Sequence, residues 1–308
     1  MKYGQVLIMT ESFPNDTSQQ RAFRAFEALV SGGDASLDLA LAALLIACTE
    51  YPDLDIVYYL AQLDELALRV RTLLDMPPTL ANVDLLQGPI EEHPLNVIAA
   101  MNEVLFQQEH FHGSTEDYYN PANSFLNDVL ERRTGLPITL SLLYMEVGKR
   151  VGVRFDGIGL PFHFVVGCLL PEGRIYIDPY ETGHIYSGQE CRERVRRMLK
   201  GEGKIYTQWF EPVSHRHLLV RMLNNLKHIY LTVEDYQRAL PICDRIVLLL
   251  PRSPLERRDR GAIHFQLKHY TRALRDLSAY AELTPHASDI DEIRRQIKTL
   301  RQIIAMMN

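Results

Sequence analysis

Residues 134–180 read TGLPITLSLLYMEVGKRVGVRFDGIGLPFHFVVGCLLPEGRIYIDPY, and this stretch decides the fold. Across 137–147 almost every position is apolar, and a helix that is apolar all round belongs inside a core. Pro137 suits the first turn, where its missing N–H costs nothing. Lys149 and Arg150 lie where cations favour the negative pole of the helix dipole, and Gly152 supplies the stop. Beyond it, 158–160, 163–170 and 174–178 are short runs of β-branched and aromatic residues separated by Pro161, Pro171, Gly173 and Pro179. They predict strands of an antiparallel sheet. The pattern is a buried helix feeding strands that carry His163 and Asp178.

A chain of 308 residues with 46% hydrophobic content has room for about two domains with real cores. The formal charge of -6 provides no general field for nucleic acid or acidic membranes, so no nucleic-acid partner is expected. No apolar run reaches the roughly 18 residues that span a bilayer, and the opening MKYGQVLIMTESFPNDTS is not a secretion signal. A cytoplasmic protein without membrane contact is expected. Cys48, Cys168, Cys191 and Cys243 are widely spaced with no C-x-x-C, which predicts reduced thiols.

On the amino-terminal side, 21–30 is read as a short helix. Asp34-Ala35-Ser36 offers caps for an apolar run over 37–47. Ile56, Tyr59, Leu60, Leu63, Leu66, Ala67 and Val70 recur at steps of three and four, predicting an amphipathic helix over 54–74; Pro77-Pro78 ends that hairpin. Helices over 94–107 and 123–132 follow, the second capped by Asn123 or Ser124. Between them, Glu109-His110-Phe111-His112 holds ligand-type side chains, but two histidines without a third fixed ligand are a weak signature. No metal or cofactor is expected. After Asp178, 181–187 adds a strand and 189–199 an exposed helix, whose Arg192, Arg194, Arg196 and Arg197 read as a solvated face rather than a phosphate site. Gly201-Glu202-Gly203 and Pro212 mark a domain boundary.

The order of helix, strand with histidine, and strand ending in Asp-Pro resembles the transglutaminase superfamily. There a cysteine opens the helix, whose N-terminus lowers the thiol pKa; the histidine takes the proton and the aspartate orients the imidazole. Members read G-x-C at the helix start, where this chain has Gly135-Leu136-Pro137, so the nucleophile is missing. Residues 43–67, 118–153 and 159–167 resemble bacterial SirB-type proteins, in which a transglutaminase-like core precedes tetratricopeptide repeats. The resemblance implies an α+β, mostly helical chain, with helices packed on a small antiparallel sheet and a helical-repeat domain behind. It divides the chain into an amino-terminal segment (1–33), the core (34–210) and the repeats (211–308).

The repeats are also visible directly. Tyr236-Gln237-Arg238-Ala239-Leu240 recurs 34 residues later as Tyr270-Thr271-Arg272-Ala273-Leu274, as does Pro251 as Pro285, which is the period of tetratricopeptide helix pairs. Two repeats, over 220–253 and 254–287, and a closing helix over 289–306 are predicted. Gly261 stands where such repeats pack closely. So short an array is marginal alone and should pack on the core; its groove is the expected surface for a protein partner.

His163 and Asp178 are the candidate catalytic pair. Strand alternation places His163 on one face with Val165 and Gly167, and Phe162, Phe164, Val166 and Cys168 on the other, so Cys168 is a poor substitute nucleophile. Ser141 lies near the azimuth of Pro137 but about 6 Å further along the helix, with Thr139 pointing away. Cys48, on a separate helix, is either a second substitute or a buried structural thiol. Asn123, Asn127 and Arg133 line the cleft or cap helices, Thr139 borders it, and Phe162, in a place where members carry a small residue, narrows or closes its mouth. Two readings remain open: a regulatory or protein-binding module that has lost covalent chemistry, and a hydrolase or acyl-transfer enzyme for amide or ester bonds that uses the retained His163 and Asp178.

Overall fold

The computed structural model describes residues 16–76 and 93–307; the expectations for 1–15 and for Pro77-Pro78 lie outside them. Helix α1 (Ser18–Ser31) starts at a reciprocal cap between Thr17 and Gln20, the arrangement that satisfies two orphan amides at once. Asp38, rather than Asp34 or Ser36, caps α2 (Leu39–Ala47), through the amide of Leu41. Eight of the nine α2 residues are buried. Asp55 caps α3 (Ile56–Leu73), whose apolar face is the one its three-and-four spacing predicts.

Helix α4 (Pro94–Asn102) was expected to run on to residue 107; instead it widens into a π-helical segment, Glu103–Gln108. The short strands β1 (His112–Gly113) and β2 (Thr134–Gly135) pair in parallel. Between them, the helix expected over 123–132 is divided: Pro121–Ser124 is a 3-10 turn, and α5 (Leu126–Arg132) starts at Phe125 without a side-chain cap.

The central helix α6 (Pro137–Val151) is buried at every position except Lys149. Gly152, at φ 110°, ends it, a conformation that glycine adopts without strain. Against α6 lies an antiparallel sheet in sequential order β3 (Asp156–Ile158), β4 (Val165–Leu170), β5 (Gly173–Asp178) and β6 (His184–Tyr186). Its register pairs Gly157 with Val166, and Val166 with Ile177. Phe164, Val166, Cys168 and Ile177 join the core around α6. Ile158, Val165 and Tyr176 face the other way, onto Cys191 and Val195 of α7 (Gly188–Met198) and onto Phe210. The sheet is therefore covered on both faces.

Five helices complete the chain: α8 (His215–Thr232), α9 (Tyr236–Leu249), α10 (Pro254–Gln266), α11 (Tyr270–Leu283) and α12 (Ile290–Met307). The repeat-equivalent Ala239 and Ala273 are both fully buried, and a Cβ on Gly261 would stand 2.9 Å from the Leu277 side chain. Close packing thus excludes larger residues at those places. The array docks on the core, as expected of so short a unit. Buried Arg245 of α9 donates to the carbonyls of Leu45 and Pro241 and lies over the rings of Phe23 and Phe26. It serves the carbonyl end of α2, where a cation is favoured, although burial lowers its pKa to about 10.

Candidate functional site

Asp178 ends β5, and its side chain is bound before it reaches any partner. Oδ1 accepts from the amides of Tyr180 and Glu181 at 3.1 and 3.3 Å, capping the turn Pro179–Glu181. Oδ2 accepts from His163 Nε2 at 2.6 Å and lies 3.3 Å from Arg194 Nη2. Since a carboxylate only accepts, His163 donates to it through Nε2–H. Nδ1 has no hydrogen-bond partner among the described residues. Asp178 is fully buried and His163 is 6% exposed.

His163 is not a strand residue. It closes a turn, its amide donating to Leu160 at 3.3 Å, and β4 begins two residues later. Pro161 and the left-handed Phe162 (φ 57°) form the corner, so the alternation expected from residue 162 onward holds from Phe164. Phe162 does not cover the histidine either: it is 83% exposed. What lies against the imidazole is Tyr180, edge-on at 5.9 Å and 87°. The Tyr180 phenol donates to the carbonyl of Ser114 at 2.5 Å. Gly113 makes room for the ring, since a Cβ there would fall 2.5 Å from it.

Arg194 was read from sequence as one of four solvated arginines. It turns toward Asp178, donating to Glu181 Oε1 at 2.7 Å and to the Tyr186 hydroxyl at 2.8 Å. Its side is marked by Cys191 and Val195, the two buried residues of α7; position 194 is three after the first and next to the second, and that spacing was the available signal. Burial raises the Glu181 carboxyl, but hydrogen bonds from Tyr186 and Arg194 outweigh it and hold Glu181 below its usual value. Tyr180 and Arg194 are the partners of the pair that the sequence reading missed.

The other candidates are distributed as follows. Asn123 ties the segment before α6: its amide group donates to Ser114 Oγ and to the carbonyl of Asp117, and its Oδ1 accepts from Arg132. Its own carbonyl accepts from the Leu136 amide and from Thr139 Oγ1 at 2.9 Å. Asn127 is buried, with Oδ1 unpartnered. Arg133 caps α5 in a left-handed conformation, pairs with Glu109 at 2.7 Å and covers Phe111. Glu109 also binds Arg69, while the ring nitrogens of His112 face the His110 carbonyl and Thr134 Oγ1. Ser141 is fully buried and donates to the carbonyl of Phe164 at 3.4 Å, one residue from His163. Cys48 stands at the carbonyl end of α2, and burial, against the effect of Arg245, pushes its thiol up to about 11. That is the reverse of an activated thiolate.

A buried helix packed on an antiparallel sheet, a histidine in the turn before one strand bonded to an aspartate at the end of the next, and paired helices of 34-residue period behind them define the class. Residues 58–224 match the family model described as the transglutaminase-like superfamily, and 226–298 that of the tetratricopeptide repeat. The chain belongs to the transglutaminase-like superfamily, in the branch that carries tetratricopeptide repeats behind its core. It is similar to a UPF0162 protein of Xylella fastidiosa (strain Temecula1), 37% identical over 88% of this chain and 93% of that one. A UPF0162 protein of Vibrio cholerae is 29% identical over 65% of this chain and 74% of its own length. Human F-box only protein 21 is 36% identical over 138 residues, 42% of this chain and 21% of that protein. No solved structure matches. Among the described residues no helix is long and apolar enough to cross a membrane.

Proposed function

We propose that this protein is a recognition module. Its transglutaminase-like core has lost covalent thiol chemistry, its repeats hold a protein partner, and the His163–Asp178 pair presents a fixed imidazole to what is bound. The observation that supports this reading is the head of α6, where Pro137 is buried at the position that the sequence pattern gives to the family's nucleophile. The nearby hydroxyls are engaged, Thr139 with Asn123 and Ser141 with Phe164, and all four cysteines are buried. The tetratricopeptide match supports the partner assignment, because such repeats generally mediate protein interactions.

A second reading draws on the completeness of the pair. An imidazole fixed through Nε2 with Nδ1 available is arranged as a general base, and it would activate water against an amide or ester. Hydroxylamine trapping of acyl groups from glutamine peptides and simple esters separates the two. The recognition reading expects the same background from wild type and from folded His163→Ala. A wild-type signal that disappears in His163→Ala would overturn it in favour of hydrolysis or acyl transfer.

A further inference from the structure

The turn that presents His163 is built against local preference. With proline at its second position and a left-handed residue at its third, such a turn asks for glycine or asparagine at the third. This chain places Phe162 there, at φ 57°. A bulky side chain in that region is a backbone outlier, and outliers persist only where the surroundings hold them.

Arg221 of α8 is what holds it. Its Nη2 donates to the carbonyl of Leu160 at 3.3 Å and to the carbonyl of His163 at 3.0 Å, the first and last residues of the turn. The guanidinium lies 5.1 Å from the centre of the Phe164 ring. Gly159 leaves space for it: a Cβ there would come within 2.5 Å of Nη1. An arginine ordinarily seeks a carboxylate, but none pairs with this one among the described residues. Its Nη2 alone bridges the two ends of the turn instead. Two further links fix the same region: Val213 donates to the Gly157 carbonyl at 2.9 Å, and Ile158 bridges to Pro212.

We propose that Arg221 is a positioning residue: from the helix that leads into the repeats, it clamps the strained Leu160–His163 turn and so sets the His163 imidazole in register with Asp178. The geometry of the site thereby depends on α8, and a partner that displaces α8 alters His163. The proposal rests on the reading of His163 and Asp178 as the working pair of the site.

The test reads the imidazole itself, in the full-length protein with nothing bound. The hydrogen-bonded Nε2–H proton of His163 is assigned in the proton spectrum by its loss in His163→Gln. In Arg221→Met, with the helical content unchanged, that signal should fall at least fivefold, and adding Phe162→Gly, which removes the strain, should restore at least half of it. An Arg221→Met signal equal to wild type overturns the proposal. So does a signal that is lost and not recovered by Phe162→Gly, since strain would then not be what the clamp opposes. Should Arg221→Met fail to fold, Arg221→Gln, whose shorter, uncharged side chain stops short of the two carbonyls that Nη2 bridges, is read against the same two outcomes. Because no substrate or partner enters, failure here leaves the recognition reading standing, and that reading fails independently on acyl trapping.

Discussion

Exposing the native protein to iodoacetamide at pH 8 tests whether any thiol serves as a hidden nucleophile. An ordinary thiol at the reference value of 9.0 is about 9% thiolate at that pH, and the thiolate is the reacting form. With Cys48 raised to about 11, the fraction is about 0.1%, a slowing of about 90-fold from ionisation alone. For Cys191 and Cys243, each raised to about 12 by burial, it is about 900-fold. Burial adds to this, because Cys48 is 3% exposed and the other two less. Native labelling should therefore wait on opening of the structure. The assay is a timed pulse with light reagent, then denaturation and heavy reagent, with the isotope ratio read peptide by peptide. Native modification of Cys48 at the unfolded-chain rate, with Cys191 and Cys243 protected, would refute the argument and restore Cys48 as a candidate.

Three further outcomes are expected. Pro137→Cys should install a thiol at the head of α6, where the helix N-terminus lowers its pKa; burst acylation by an activated ester should rise at least tenfold over wild type and vanish when His163→Ala is added, and no burst would refute the reading of position 137 as the family's nucleophile position. Asp178→Asn removes the charge that faces both His163 and Arg194 in a fully buried position; breaking such a pair costs about 3–5 kcal/mol, to be read from urea midpoints, and a loss below about 1 kcal/mol would contradict the network. His264 in the repeats has its pKa lowered from 6.5, chiefly by burial, so the unfolded chain binds its proton first. Its contribution to stability is present above 6.5 and is lost as pH falls below it, so acidification from pH 7 to 5 should lower the urea midpoint in wild type more than in His264→Gln. Equal losses would remove His264 as the cause.

The parts of the fold legible in the sequence are those where burial imposes a period. The all-round apolar run of α6, the spacing of α3 and the 34-residue return of Tyr-x-Arg-Ala-Leu each record which side of a helix is covered, and each element was found within a few residues. His163 and Asp178 were legible for a different reason, as motif residues at the ends of recognisable runs. What the sequence hid is the connection between them. A left-handed corner is ordinarily announced by glycine or asparagine, and Phe162 announces nothing, so sequence alone extends the strand back over His163 and puts the exposed phenyl at the mouth of the cleft. Periodicity also leaves polar pairings open, because Arg194 and Arg221 each find their partners off their own helix. Both lie on helices, and both converge on the same few residues between Leu160 and Glu181. An imidazole oriented from one side by Asp178 and Arg194, and from the other through its own backbone by Arg221, is held more firmly than sheet packing requires. That convergence of restraints on one imidazole is the physical reason to look for function at His163.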